Sequence, residues 1–306
     1  GGAMSGAAAG TSTADVRPPD SCKIIFAAFY AIKPGGYNRR KGQRCNGCHS
    51  SPAHITFESA RLTHPGACTA IITDVNSDFS KQKGLEGVQI YRYAEVNPDS
   101  IGTENLMYER MKGYRAFLAQ AAKEAWGKNI VMLDTDVVII GDVNDLFKGN
   151  YDYGLTARAN PDMPVNGGVQ FARGDSAAKA VDFLTHVIAV WDKMSQGSRR
   201  GGYAFTGDQR AYGQAIGNVK GMFALAAKKG GGVVTSTAGH KVLIMPGTQY
   251  NRTPDGGESG GGGAALKRAN VKILHYKGGR KEKMYVPFNA MKKGGAAAVF
   301  KLKSTN

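Results

Sequence analysis

Two aspartates one residue apart, Asp134 and Asp136, lie between the apolar runs Ile130–Leu133 and Val137–Ile140. Aliphatic, β-branched runs of that length read as strand buried on both faces. Carboxylates delivered to such a place are costly unless something pairs them. A divalent cation is the natural partner, because hard cations prefer carboxylate oxygens. In an Asp-x-Asp at a strand end both side chains point to one side, so both can reach one ion. An ion so held neutralises the charge of a leaving diphosphate. The bland alternative is a pair of turn or capping aspartates.

The surrounding elements follow from hydrophobic period. Cys22–Phe29, Thr69–Thr73, Val88–Tyr93, Tyr153–Arg158, Val165–Arg173, His240–Pro246 and Val271–Tyr276 read as strands, besides the two runs flanking the aspartates. Asn105–Trp126 and Ser176–Met194 carry apolar residues at helical spacing. Gly127 ends the first of these helices. Short helices are expected at Phe57–Leu62 and Asp142–Phe147, and Gly207-Asp208-Gln209 opens another. This order argues for an α/β sheet. Ligands of such sheets bind at the carboxyl ends of the strands, where Asp134 and Asp136 lie. Tyr30–Gly66, Gly197–Gly202 and Asp255–Ala265 read as loops.

The chain has 306 residues and a formal net charge of +16. No apolar run approaches the roughly eighteen residues of a membrane span. The charge implies an acidic partner: polyphosphate, anionic lipid or nucleic acid. From Lys277 onward eight Lys and Arg face the single acid Glu282. With Tyr285, Phe288 and Phe300 interleaved, this end is expected to be a basic tail, either solvated or in contact with an anionic membrane. Residues 1–21 are expected to be disordered and to open on a vector remnant, GGAMSG. The compartment stays open: Golgi lumen if a membrane anchor precedes the chain, otherwise cytoplasm or a membrane periphery. Cys45-Asn-Gly-Cys48-His49 matches a haem-attachment pattern and begins a possible zinc set with His54, His64 and Cys68; a disulfide or a plain loop are the other readings.

Further separated segments stand along the chain: Tyr114-Arg115, Asn166-Gly167-Gly168, Asp208-Gln209, and His275-Tyr276-Lys277-Gly278-Gly279-Arg280-Lys281. With Leu133-Asp134-Thr135-Asp136, these resemble glycosyltransferases of the GT-A fold, and within them family 8, across residues 22–284. The resemblance implies one α/β GT-A (Rossmann-like) domain with a mostly parallel central sheet, followed by the basic C-terminal tail at 285–306. It implies that Asp134, Asp136 and His275 hold Mn²⁺ or Mg²⁺. Gly278 and Lys281 would meet the donor diphosphate. Asn166 would bond the donor sugar, with Gly167 and Gly168 leaving room. Arg115 would reach the donor, and Asp208 and Gln209 would stand at the reacting centre. The family's first strand often ends Ala-x-Asp, with the acid on uracil. Here the end is Ala27-Ala28-Phe29, so Phe29 or Tyr30 is expected to stack on the base, uridine first. Glu282-Lys283 stands where the family has Pro-Trp. Met245-Pro246 and Tyr250-Asn251 resemble a site-lining segment, which sets the sequon Asn251-Arg252-Thr253 against glycosylation.

The implied activity is transfer of a hexose or pentose from a nucleotide-diphosphate sugar, a UDP-sugar first, to a glycan, lipid or protein hydroxyl with retention of configuration. No nucleic-acid partner is expected. The competing expectations are a nucleotidyltransferase or sugar-nucleotide hydrolase of similar fold, and a basic nucleic-acid-binding protein.

Overall fold

The computed structural model describes residues 17–32, 52–97, 105–158, 163–194, 207–228, 230–254 and 263–302. The strands are β1 (Ile24–Phe29), β2 (Cys68–Thr73), β3 (Gln89–Arg92), β4 (Asn129–Leu133), β5 (Val137–Ile139), β6 (Tyr153–Ala157), β7 (Val165–Ala172), β8 (Gly232–Thr235), β9 (Lys241–Pro246) and β10 (Ile273–His275). An eight-stranded sheet runs β3-β2-β1-β4-β7-β6-β9-β8. β3, β2, β1 and β4 are parallel to one another, and so are β6 and β9. β7 is antiparallel to both of its neighbours, and β8 is an antiparallel edge. The sheet is thus mixed and mostly parallel, as the alternation of elements required.

β1 and β4 are the apolar runs IIFAAF and NIVML, buried along nearly their whole length. That fits strands covered by helices on both faces. On one face α2 (Leu106–Lys123) and α3 (Ala177–Lys193) pack together; Met111, Tyr114, Phe117 and Leu118 meet Phe183, Leu184 and Val187 there. The other face carries α1 (Ala53–Thr63), which is longer than the expected 57–62 and follows Pro52 at its cap. Proline is compatible with a helix start because the first N–H groups have no intrahelical acceptor.

Two segments depart from expectation. β5 does not continue in the main sheet; it pairs antiparallel with β10 in a separate two-stranded ribbon. Residues 285–299, read as tail, form the helix Tyr285–Val299, broken by a kink of non-helical backbone at Gly294 and Gly295. Its Phe288 and Met291 are buried against Ile55, Val138 and Leu266. The lysines that dominated the sequence reading lie on its outer side, and burial of the apolar stripe orders it. Among the described residues no helix is long and apolar enough to cross a membrane.

Candidate active site

The chain leaves the main sheet at the end of β4, and the Asp-x-Asp occupies that exit. The Asp134 N–H donates to the Gly168 carbonyl at 2.9 Å, which extends the β4–β7 pairing to the first aspartate. Asp136 then enters the ribbon. Its carbonyl accepts from the Tyr276 N–H at 2.8 Å, and Val137 stands opposite His275. The ribbon that departed from expectation is therefore what carries His275 to the aspartates. His275 Nε2 lies 3.0 Å from Asp136 Oδ1 and 3.4 Å from Asp134 Oδ2. One ligand atom from each of the three residues falls within 4.8 Å of the others.

The state of His275 is set from behind. Asn251 Nδ2 donates to Thr156 Oγ1 at 2.7 Å and to the Asn166 carbonyl at 3.1 Å. The Thr156 hydroxyl spends its own proton on that same carbonyl at 2.9 Å. Asn251 must therefore present Oδ1 to the ring, 2.7 Å from His275 Nδ1. Nδ1 carries the proton, and a neutral ring leaves a lone pair on Nε2 aimed at two carboxylates. Asp136 Oδ1 is buried and has no hydrogen-bond donor among the described residues; its 3.0 Å neighbour Nε2 has no proton to give in that tautomer. Lone pairs converging in this way suit a divalent cation of the Mn²⁺ or Mg²⁺ kind bound by two carboxylates and one imidazole.

Lys281 Nζ lies 3.1 Å from Asp136 Oδ2. Burial works to raise the Asp136 carboxyl, but His275, when protonated in the metal-free site, and the Lys281 ammonium hold it down. It is ionised at any working pH. Gly278 has φ +61° with open space around it, so the requirement is for left-handed backbone, which glycine meets without strain.

A second ionic layer lies beneath. Arg110 of α2 pairs with Asp134 through Nη1 and with Asp208 through Nη2. The Asp208 side chain has no exposure, and it opens the helix Gly207–Ile216. Burial raises its carboxyl, with Arg110 opposing. Arg110 remains cationic: burial works against its charge, but the two carboxylates overcome it. β7 closes over this layer only because it carries two glycines. A Cβ on Gly167 would lie 2.6 Å from both Arg110 Nη2 and Asp208 Oδ2. One on Gly168 would lie 2.3 Å from His275 Cε1 and 2.9 Å from Asp134 Oδ2. Asn166, just before them, is buried. Gln209 accepts from Arg158 Nη2 at 2.7 Å.

The structure thus brings together Asp134, Asp136, Asn166, Gly167, Gly168, Asp208, His275 and Lys281, with Gly278 and Gln209 alongside. Arg115 is elsewhere. It lies farther along α2 and pairs with Glu95 at the surface; the arginine in the cluster is Arg110. The signal for Arg110 was present: it shares a face with Tyr114, Phe117 and Ala121, all buried, and a cation on an apolar face needs an anionic partner. Ala27 is fully buried inside β1, and Phe29 is in the core against Gly113. Neither offers a free face, because α2 covers this side of the strand. Tyr30, the next residue, is half-buried; its ring packs on Phe79, and its hydroxyl donates to Gln82 at 3.4 Å.

Among the described residues the zinc set is not assembled. Cys68 is disulfide-bonded to Cys22, with Cα atoms 5.6 Å apart. His64 accepts from the Val143 N–H, and His54 packs on Tyr285 and Phe288. Cys45, Cys48, His49 and the Arg199-Arg200 loop lie outside the described residues. Asn251 of the sequon is only 3% exposed and its amide is engaged.

No family model matches the chain, and no curated protein matches it. Among solved structures it is similar to a glycosyltransferase involved in glycosylation of the major capsid of PBCV-1, at 12% identity and TM-score 0.42, covering 86% of this chain and 98% of that one. It is similar to galactosyltransferase LgtC, solved with donor and acceptor sugar analogues, at 11% identity and TM-score 0.42, covering 93% and 97%. It is also similar to glycosyltransferase GlyE of Streptococcus pneumoniae, at 11% identity and TM-score 0.48; there it covers 91% of this chain but spans only 62% of the other. At such low identity the site's own residues carry the functional argument.

Proposed function

We propose that this chain is a metal-dependent glycosyltransferase that uses a nucleoside-diphosphate sugar, with UDP as the carrier and a hexose or pentose as the group moved. The observation that carries the reading is the meeting of Asp134, Asp136 and His275, with the Lys281 ammonium 3.1 Å from Asp136. Two carboxylates, one imidazole and a lysine beside them suit a metal-bound diphosphate better than a free hydroxyl or an amide.

A cation held by Asp134, Asp136 and His275, Mn²⁺ or Mg²⁺, would supply Lewis-acid neutralisation of the departing diphosphate. Lys281 adds a point charge for a phosphate oxygen. The backbone at Gly278 can approach the phosphates without a side chain in the way. Arg110 fixes Asp134 from below and holds Asp208 at a set place. Asp208 is a weak candidate for a side-chain base, because its Oδ2 is committed to Arg110 and the carboxylate is fully buried. That favours retention, with a leaving phosphate oxygen taking the proton of the incoming hydroxyl and Gln209 beside the reacting face. Asn166 and the two glycines after it shape the space for the sugar. The half-exposed Tyr285 and Val286, near Lys281 and Lys283, offer a contact to an anionic membrane on which acceptors could be presented.

The test is thermal denaturation with UDP, GDP and UDP-sugars, with and without Mn²⁺, on the natural chain and on Asp136→Ala. Ligand at about 100 times its Kd stabilises by about 2.7 kcal/mol, a shift of several degrees. UDP is expected to raise Tm only with metal, and not in Asp136→Ala. Equal shifts without metal, or none with any nucleotide, would sink the reading.

A further inference from the structure

β7 is irregular where it enters the site. Against β4 its pairing is unbroken from Ala172 to Val169. Against β6, Gln170 faces Leu155 and Asn166 faces Thr156. Gly167, Gly168 and Val169 therefore stand opposite a single step of β6. Such a bulge bends the strand and re-aims its side chains. Here it carries the two glycines over Arg110, Asp208 and His275. Buried backbone carbonyls need partners, and those of the bulge are held from different sides. The Asn166 carbonyl accepts from Thr156 Oγ1 and Asn251 Nδ2, and the Gly168 carbonyl from the Asp134 N–H. The Gly167 carbonyl accepts from Gln170 Nε2 at 2.9 Å.

Gln170 is a fully buried amide between the apolar residues Val169 and Phe171. An amide is tolerated there only when its polar atoms are paired. A carbonyl can only accept, so Nε2 must face Gly167 and Oε1 the other way. Oε1 accepts from the Tyr153 hydroxyl at 2.5 Å and from the Tyr212 hydroxyl at 2.6 Å. Tyr212 lies one turn after Asp208 in the helix Gly207–Ile216. Gln170 thus ties the bulge to β6 and to that helix at once. The Gly167 carbonyl and the Gly168 N–H belong to one planar peptide unit and point in opposite directions. With the carbonyl fixed, the N–H donates to Asn166 Oδ1 at 3.4 Å. The Asn166 amide is oriented in turn. Its Oδ1 is spent on the backbone, and Nδ2 is the end left for a ligand in the cavity of about 790 Å³ that Asn166 lines.

We propose that Gln170 is a positioning residue for the donor sugar: through the Gly167–Gly168 peptide it makes Asn166 present a hydrogen-bond donor, so that the sugar atom met there is an oxygen acting as acceptor. The contact with the sugar rests on the transferase reading above; the orientation of Asn166 rests on the hydrogen bonds alone. The Gly168 carbonyl has its own anchor at the Asp134 N–H. Loss of Gln170 therefore frees the peptide on the sugar side without releasing Asp134, and the metal and diphosphate should still be held.

The experiment is calorimetric titration of the full chain with UDP, UDP-glucose, UDP-galactose and UDP-xylose in the presence of Mn²⁺, with Tm measured alongside. The variants are Gln170→Met, Asn166→Ala, the two combined, and Gln170→Met with Tyr153→Phe and Tyr212→Phe. That last variant replaces the amide and both hydroxyls by apolar groups of similar shape, which is close to neutral for stability, yet leaves the Gly167 carbonyl unheld. A neutral hydrogen bond lost from a ligand weakens binding about two- to tenfold. At least one UDP-sugar is expected to bind the natural chain and to lose about threefold or more in every variant, while UDP stays within about twofold. Gln170→Met should add nothing to the loss in Asn166→Ala, because it acts through Asn166. The variant with both phenylalanines should melt closer to the natural chain than Gln170→Met and still bind the sugar poorly. Recovery of UDP-sugar affinity together with Tm in that variant would reduce Gln170 to a core residue and overturn the proposal. So would additive losses in the combined variant, or equal losses for UDP and UDP-sugar. UDP binding without UDP-sugar binding overturns the sugar contact alone. No UDP binding with Mn²⁺ overturns the transferase reading, and the role of Gln170 falls with it.

Discussion

Asn251 Oδ1 and His275 Nδ1 lie 2.7 Å apart, and this contact decides which ring nitrogen faces Asp134 and Asp136. The amide cannot flip without turning Nδ2 away from Thr156 Oγ1 and the Asn166 carbonyl. Partners of this kind behind a metal-binding histidine are worth about 10–100-fold in affinity. Asn251→Leu keeps the volume and removes the acceptor. Its Mn²⁺ affinity, measured by calorimetry, should fall by about that factor. Mn²⁺ affinity equal to that of the natural chain would show that the orientation of His275 does not depend on Asn251.

Gly168 provides an independent check on the same cluster. A methyl group there would lie 2.3 Å from His275 Cε1 and 2.6 Å from Nδ1, so the ring has to move. Forcing an extra carbon into a packed site costs about 1–3 kcal/mol. Gly168→Ala is expected to fold with a Tm lowered by several degrees, and to lose metal-dependent stabilisation by UDP almost entirely. A variant that melts lower yet still responds to UDP and Mn²⁺ would mean that the cluster tolerates displacement of its histidine.

The Asp-x-Asp and the strands around it were legible because buried aliphatic runs have a short, unambiguous period. His275 was legible through its spacing to Gly278 and Lys281. What could not be read was the ribbon: β5 and β10 are local apolar runs, and nothing local says that they pair with each other rather than join the main sheet. Arg115 came from the resemblance alone, and Arg110 was missed for want of a one-face argument. Both lie in the same helix, and only the buried neighbours Tyr114 and Phe117 distinguish the inward position. The helix Val219–Ala227 and β8 went unseen because their residues are partly exposed and lack a clean period. The helix Tyr285–Val299 was hidden by its lysines, although its buried positions Phe288 and Met291 are three apart.

The Arg110 bridge makes a prediction that separates the two arginines of α2. Removing one partner of a buried ion pair leaves an uncompensated charge and costs about 3–5 kcal/mol. Arg110→Met would leave Asp134 and Asp208 facing each other with no cation between them. Urea unfolding should show a loss of that order, and Asp208→Asn added to Arg110→Met should recover part of it. The surface pair of Arg115 with Glu95 is worth at most about 1 kcal/mol, so Arg115→Gln should unfold close to the natural chain. Equal losses for the two arginine variants would contradict the assignment of Arg110 to the buried layer.

His64 ties acid stability to a single proton. Thr63 Oγ1 donates to the Ser59 carbonyl at 2.8 Å, so the 2.9 Å contact with His64 Nδ1 must be donated by the ring. Nε2 is then unprotonated and accepts from the Val143 N–H at 3.0 Å. Burial lowers the pKa of His64 below its ordinary 6.5, outweighing the nearby Asp142. Between that lowered value and 6.5 the unfolded chain binds the proton and the folded chain does not. Stability from His64 is therefore complete above pH 6.5 and declines as the pH falls, with a slope of up to about 1.4 kcal/mol per pH unit until the folded ring is protonated too. Gln at this position can still accept from Val143 but does not titrate. Unfolding free energies at pH 7 and pH 5 should therefore drop less in His64→Gln than in the natural chain. The same drop in both would show that some other group controls this part of the acid response.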